Sequence, residues 1–352
     1  MILGYLWLNY FSDLNYDHRL GGVSAAASVV AFLAPALLIS SPIRQRYALS
    51  TAAFERLLTL ILTLATIIVA IGATYGFRFV SLANIYDFRD NLEFPVMLNY
   101  AITITSNSLL PFAFACFVMR RNYWQAGLTL TLLLLIYPIT LSKVAFFAPW
   151  WLLFIALLSR IFEARTTVIF SLLLPVLFGL ILVAFFEPHG LSYFRLVNFR
   201  MVAVPSNAMD VYNDFFANHD LTYFCQIRFL KPVIHCPYRD PLSVVMERAY
   251  GFGSFNASLF ATEGIASVGP LLAPISAVVC GLVAALGNRV SAGLPPRLIV
   301  ISSGILPLVF LNVPMTTTLL THGAAILFLL WYVTPRAMFE YNADGRTGGA
   351  VR

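Results

Sequence analysis

Leu57-Leu58-Thr59-Leu60-Ile61-Leu62-Thr63-Leu64-Ala65-Thr66-Ile67-Ile68-Val69-Ala70-Ile71-Gly72-Ala73-Thr74-Tyr75-Gly76 is a run of twenty residues without a charge. As a helix it reaches about 30 Å, the thickness of a bilayer's hydrocarbon core. Similar blocks recur at 22–41, 96–118, 124–141, 144–159, 166–186, 264–287, 298–313 and 317–334, with a partial block at 1–11. The stretch 128–159 is too long for one span, and Pro138 and Lys143 divide it into two helices joined by a tight turn. The expected fold class is all-α: a polytopic integral membrane protein with about 9–11 transmembrane helices and one large periplasmic loop. Composition points the same way. The 352 residues are 60% hydrophobic and 11% charged, where a soluble domain carries about 25% charged. No soluble fold of this size could bury so much apolar surface.

The basic residues give the orientation. Arg44, Arg46 and Arg56 flank one loop, Arg120 and Arg121 the next on that side, then Arg160 and Arg165, Arg289 and Arg297, and finally Arg336, Arg346 and Arg352. They alternate with the spans and place that side, with the C-terminus, in the cytoplasm. The formal net charge of +6 is therefore read as membrane anchoring, with no nucleic acid as partner. Loop 77–95, the turn at Lys143 and the long segment 187–263 fall outside. The expected organisation is one transmembrane domain over 1–335, with 187–263 a periplasmic loop carrying short amphipathic helices and 336–352 a disordered cytoplasmic tail. Met1 to Phe11 lacks a basic n-region and a cleavage site, and reads as the end of a first span rather than a signal peptide.

The four cysteines fit no zinc spacing. Cys116 and Cys280 lie inside spans as packing residues. Cys225 and Cys236 share the outer segment and could form a disulfide worth about 3 kcal/mol, or remain two thiols. In the same segment Ala208, Val211, Tyr212, Phe215 and Phe216 recur at helical spacing after a cap at Ser206, which predicts an amphipathic helix lying at the bilayer interface or lidding a cavity.

Four polar segments on the outer side could carry chemistry. In Ile85-Tyr86-Asp87-Phe88-Arg89-Asp90, Arg89 could bind a phosphate and Asp87 or Asp90 orient a sugar hydroxyl; an interfacial loop with local ion pairs is the alternative. Leu141-Ser142-Lys143 puts a cation at the outer rim, where snorkelling lowers its cost; it is either an anchor or a ligand for charge. The long segment interleaves Arg195, Arg200, Tyr212, Phe216, His219, Arg228, Lys231, His235, Arg239 and Arg248. Arg holds a diphosphate through paired donors and Lys as a point charge, and aromatic rings suit sugar faces; a solvated loop with ordinary charge pairs competes with that reading. Last, Asn256-Ala257-Ser258 leads to Glu263, where a loop enters an apolar span among Gly264, Ala266, Ser267 and Gly269. A carboxylate there needs a partner and could be a general base, or it sits at the positive end of a closely packed helix. The sequence holds no phosphate-binding GxxxxGK[ST], no HExxH and no dinucleotide fingerprint. The outer acids are scattered, so no metal is expected.

In order and spacing these segments resemble the oligosaccharide repeat-unit polymerases (Wzy-type O-antigen and exopolysaccharide polymerases). Tyr86-Asp87-Phe88-Arg89 looks like that family's Tyr-Asp-x-Arg element and Ser142-Lys143 like its Ser-Lys element. Tyr212-Asn213-Asp214-Phe215-Phe216-Ala217-Asn218-His219 looks like Tyr-x-x-Phe-Phe-x-x-His. Asn256-Ala257-Ser258 before Glu263-Gly264 looks like Asn-Ala-Asn with a following acidic-Gly, with Ser258 where the family often has Asn. The resemblance covers about residues 80 to 290. It implies a helical fold related to the O-antigen ligase architecture. It also implies glycosyl transfer between undecaprenyl-diphosphate-linked oligosaccharides at the periplasmic face of a bacterial inner membrane, with no cofactor. The partners would be that lipid-linked oligosaccharide, the bilayer, a chain-length regulator and a flippase.

On physical grounds, Arg89, Arg200 and Lys143 would stabilise charge on the departing diphosphate, and Glu263 or His219 would take the acceptor proton. Tyr86, Arg195, Tyr212, Phe216, Lys231, Arg248 and Asn256 would bind substrate. Competing readings are an O-antigen ligase, another polytopic lipid-linked-sugar glycosyltransferase with Asp87 and Asp90 as its acid pair, a lipid-linked saccharide flippase, and a non-catalytic assembly partner.

Overall fold

A computed structural model describes residues 2–81, 85, 88, 92–186, 189–227, 230, 232–251, 260–310 and 312–340. Among these residues the chain is all-helical, without a strand. Its helices are α1 (Ile2–Phe11), α2 (His18–Leu38), α3 (Thr51–Tyr75), α4 (Val96–Met119), α5 (Tyr123–Thr140), α6 (Lys143–Ile161), α7 (Ala164–Phe185), α8 (His189–Leu196), α9 (Val204–Asn218), α10 (Leu242–Tyr250), α11 (Phe260–Ser291), α12 (Pro296–Ser302), α13 (Leu306–Phe310), α14 (Met315–Leu320), α15 (Ala324–Val333) and α16 (Ala337–Glu340).

Seven of them, α2 to α7 and α11 from Thr262 onward, are long and apolar enough to cross a membrane. Their outward side chains identify the solvent. On α7 Ile169, Phe178, Leu180 and Ile181 are each at least half exposed, and so many bare apolar groups on one helix are stable only against lipid. Local signals begin several of these helices: the side chains of Asp17, Ser50 and Asn122 accept from Leu20, Ala53 and Gln125 N–H.

The chain forms two compact units. The first comprises 1–41, 172–289 and 308–317, and the second 42–171, 290–307 and 318–352. In the first, α1 packs on α2 and α9. In the second, α4 packs on α5 and α12, and α5 also packs on α3 and α6.

Hydrogen bonds between span ends follow the two sides expected from the arginines. In the second unit Leu49 N–H donates to Val333 O, Gln45 Nε2 to Thr334 O, and Glu55 pairs with Arg120, all at the basic ends. At the opposite ends Arg78 N–H donates to Pro138 O and the Tyr137 hydroxyl to Val80 O. The expected division near Lys143 is present: α5 ends at Thr140, Leu141 turns left-handed at φ 48°, and α6 opens at Lys143. In the first unit Arg289 Nε donates to Ser41 O, again at the basic ends.

Two expected spans are broken. The block 298–313 divides into α12 and α13, because the Pro307 ring would clash with the carbonyl four residues back and offers no N–H. The block 317–334 divides at 321–323. Gly323 is left-handed there, at φ 77°, and an added Cβ would lie 3.0 Å from Ser108 Oγ. That break is held by α4. A π-turn over Thr105–Leu109 turns polar groups inward, so that Asn107 Nδ2 donates to His322 Nδ1 and Ser108 Oγ to His322 O, both at 2.8 Å. Beyond Pro335 the tail is ordered through α16, contrary to the expected disorder from 336: Phe339 is buried, with its ring edge-on to Phe54 at 6.4 Å.

Candidate functional site

The described residues of the polar segment 187–263 form a built structure rather than a connector. Its centre is α9, which a π-turn over Phe199–Ala203 continues directly from the preceding chain. The predicted helix is there, but Ser206 lies inside it and its hydroxyl donates back to Val202 O at 2.7 Å. Nor is the apolar stripe turned to lipid or to a cavity. Ala208, Val211, Tyr212, Phe215 and Phe216 are buried against Met246, Ile265, Ala266 and Ala273. Tyr212 and Phe216, expected on a sugar, are thus core side chains in this structure.

The opposite, polar face of α9 carries two carboxylates that the sequence reading passed over. Asp210 and Asp214 are one turn apart on the same face. Asp210 is buried; it accepts from Ser12 Oγ at 2.8 Å and from the Tyr16 hydroxyl. Asp214 accepts from Asn15 N–H at 2.7 Å and from the Tyr250 hydroxyl at 2.5 Å. Burial pushes the Tyr16 and Tyr250 phenols well above their usual range, and the hydrogen bonds to the carboxylates push further. Both rings therefore stay protonated donors. The two aspartates tie the turn 12–17 and helix α10 to α9. A four-residue Asp spacing on a helix beside an aromatic stripe was the available signal; their tyrosine partners are distant in sequence and gave none.

His219 ends α9 with its ring stacked on Phe215, centroids 3.9 Å apart. Its Nδ1 lies 2.8 Å from Phe215 O. A carbonyl can only accept, so Nδ1 carries a proton, and Nε2 is the ring nitrogen left to meet a ligand. The side chain is exposed.

Three residues further, the chain pairs with the start of α11. Thr222 N–H donates to Ala266 O at 2.8 Å and Tyr223 N–H to Ser267 O at 3.1 Å. These carbonyls are free because α11 breaks at Gly269 (φ 78°, ψ 166°) before Pro270, which has no N–H to give Ala266. One turn before Ala266 stands Glu263, whose carboxylate accepts a hydrogen bond from Met315 backbone N–H. Cys225 and Cys236 then close the following loop as a disulfide, which decides the sequence alternative in favour of the bond.

Other expected residues are scattered. Arg195 is exposed on α8, and Arg248 is exposed on α10 in an ion pair with Asp240. Arg200 lies in the π-turn. In the second unit Lys143 opens α6, and the turn before it is bonded to the chain entering loop 77–95. Tyr86, Asp87, Arg89, Asp90, Arg228, Lys231 and Asn256 lie outside the described residues. Among the described residues no group of three or more His, Cys, Asp or Glu could hold a metal. No family model, curated protein or solved structure matches the chain.

Proposed function

We propose that this multi-pass membrane protein is a glycosyltransferase that polymerises undecaprenyl-diphosphate-linked oligosaccharide repeat units at the periplasmic face of a bacterial inner membrane. The observation that carries the reading is the junction in the first unit. One short hydrogen-bonded segment, Leu221–Tyr223, follows His219 and clamps the helix start that bears Glu263. A basic and an acidic group thereby flank one hydrogen-bonded junction, and a disulfide closes the loop that follows it. Disulfides persist in oxidising compartments, which supports an outward-facing segment and a cytoplasmic C-terminus. The ordered sequence motifs support the substrate class.

In the proposed reaction an acceptor sugar hydroxyl attacks the anomeric carbon of the growing chain. The bond from that carbon to the lipid diphosphate breaks, and its electron pair leaves on the diphosphate. His219 Nε2, on an exposed side chain, takes the hydroxyl proton, with Glu263 as the competing base. The basic residues of the sequence motifs offset the charge gathering on the leaving group. The full complement of about 9–11 spans includes the broken segments.

The test is reconstitution in liposomes with purified undecaprenyl-diphosphate-linked units. Products longer than one unit, formed with release of undecaprenyl diphosphate, are expected from the wild type. His219→Ala is expected to turn over about 10²–10⁴-fold more slowly. If His219→Ala and Glu263→Gln both keep full activity, neither group is the base.

A further inference from the structure

In the second unit an open apolar groove of about 210 Å³ runs between α4, α5 and α6. Phe114, Leu130, Leu153 and Leu157 form its walls. Gly127 leaves a notch beside it, since a Cβ there would meet nothing within 4 Å. The groove begins at Tyr123 and Arg160 and extends along α5 to Leu130, seven residues or about 10 Å into the span. Its walls belong to helices that are long and apolar enough to cross a membrane, so the groove opens toward hydrocarbon.

The mouth is at the basic ends of those helices. Arg160 lies over the Tyr123 ring, 5.4 Å from its centroid, which holds the guanidinium at the rim. It is exposed, and among the described residues it makes no ion pair. Arg120 is different, being engaged by Glu55. Arg121 and Arg165 add positive charge nearby in sequence, against Glu163. An apolar slot ending at an exposed guanidinium matches a lipid with an acyl chain and an anionic headgroup. We propose that this groove binds an anionic glycerophospholipid, with an acyl chain beside Gly127 and the phosphate on Arg160. Zwitterionic lipid fills the slot but gains less from the arginine.

Native mass spectrometry of the full-length protein in detergent, titrated with dioleoyl phosphatidylglycerol or dioleoyl phosphatidylcholine, tests this. The wild type is expected to prefer phosphatidylglycerol by roughly five-fold, the factor contributed by one arginine near an anionic surface. Arg160→Gln brings the two lipids to equal affinity, and Gly127→Leu, which fills the notch, weakens both. Equal affinity in the wild type overturns the proposal, as does an unchanged preference in Arg160→Gln. Arg160 is exposed, so that variant decides the matter even where Gly127→Leu does not fold.

Discussion

Asp210 is a buried carboxylate whose partners sit almost two hundred residues away, on Ser12 and Tyr16. Removing a donor from such a group costs about 1–3 kcal/mol, because the remaining acceptor loses water and gains nothing. Tyr16→Phe is expected to lower stability by that amount at neutral pH, measured by thermal unfolding in detergent. The sign of the pH dependence follows from the raised phenol. Its contribution is fully present below the ordinary tyrosine pKa of about 10 and fades as pH rises through the folded value. The wild type and Tyr16→Phe should therefore converge only in strong alkali, and a difference growing with pH would contradict this. Asn107 makes the same argument inside a span. Asn107→Ala leaves His322 Nδ1 without its donor, and a loss of roughly 1–3 kcal/mol is expected. Equal melting of variant and wild type would show that the pair holds nothing.

At the scale of elements, apolar periodicity was the legible part. Seven blocks of the sequence are helices long enough to span, and the stripe from Ala208 to Phe216 is a helix. Sequence reading failed where backbone polarity is satisfied by a distant partner. The breaks at Gly269 and Gly323 are stable only because Thr222 and Tyr223 take the freed carbonyls of one, and Ser108 and Asn107 bind the other. Neither partnership leaves a local mark. The stripe on α9 misled for a related reason: amphipathic spacing says that a face is covered but not by what, and here protein covers it. The disulfide acts at this scale too. It closes a loop with a sequence separation of 11, worth about 3 kcal/mol in the chain-entropy model. Cys225→Ser with Cys236→Ser is expected to make the segment after Thr222 more sensitive to limited proteolysis, while the spans stay protected. An unchanged cleavage pattern would mean that neighbouring contacts suffice.

For the whole molecule, the membrane reading rests on agreement between independent features. The arginines mark alternating ends, the hydrogen bonds join ends marked alike within each unit, and the outward residues of α7 are bare hydrocarbon. The proposed chemistry stands on the segment 187–263. The most direct measurement is the surface-polysaccharide ladder of the host after deletion of this chain, with wild type or His219→Ala restored at equal expression. The ladder is expected to collapse to single-unit bands on deletion, to return with the wild type, and to stay short with His219→Ala. An unchanged ladder after deletion, in a host with no second copy, would contradict the polymerase reading, and loss of every band would point instead to a flippase or a ligase.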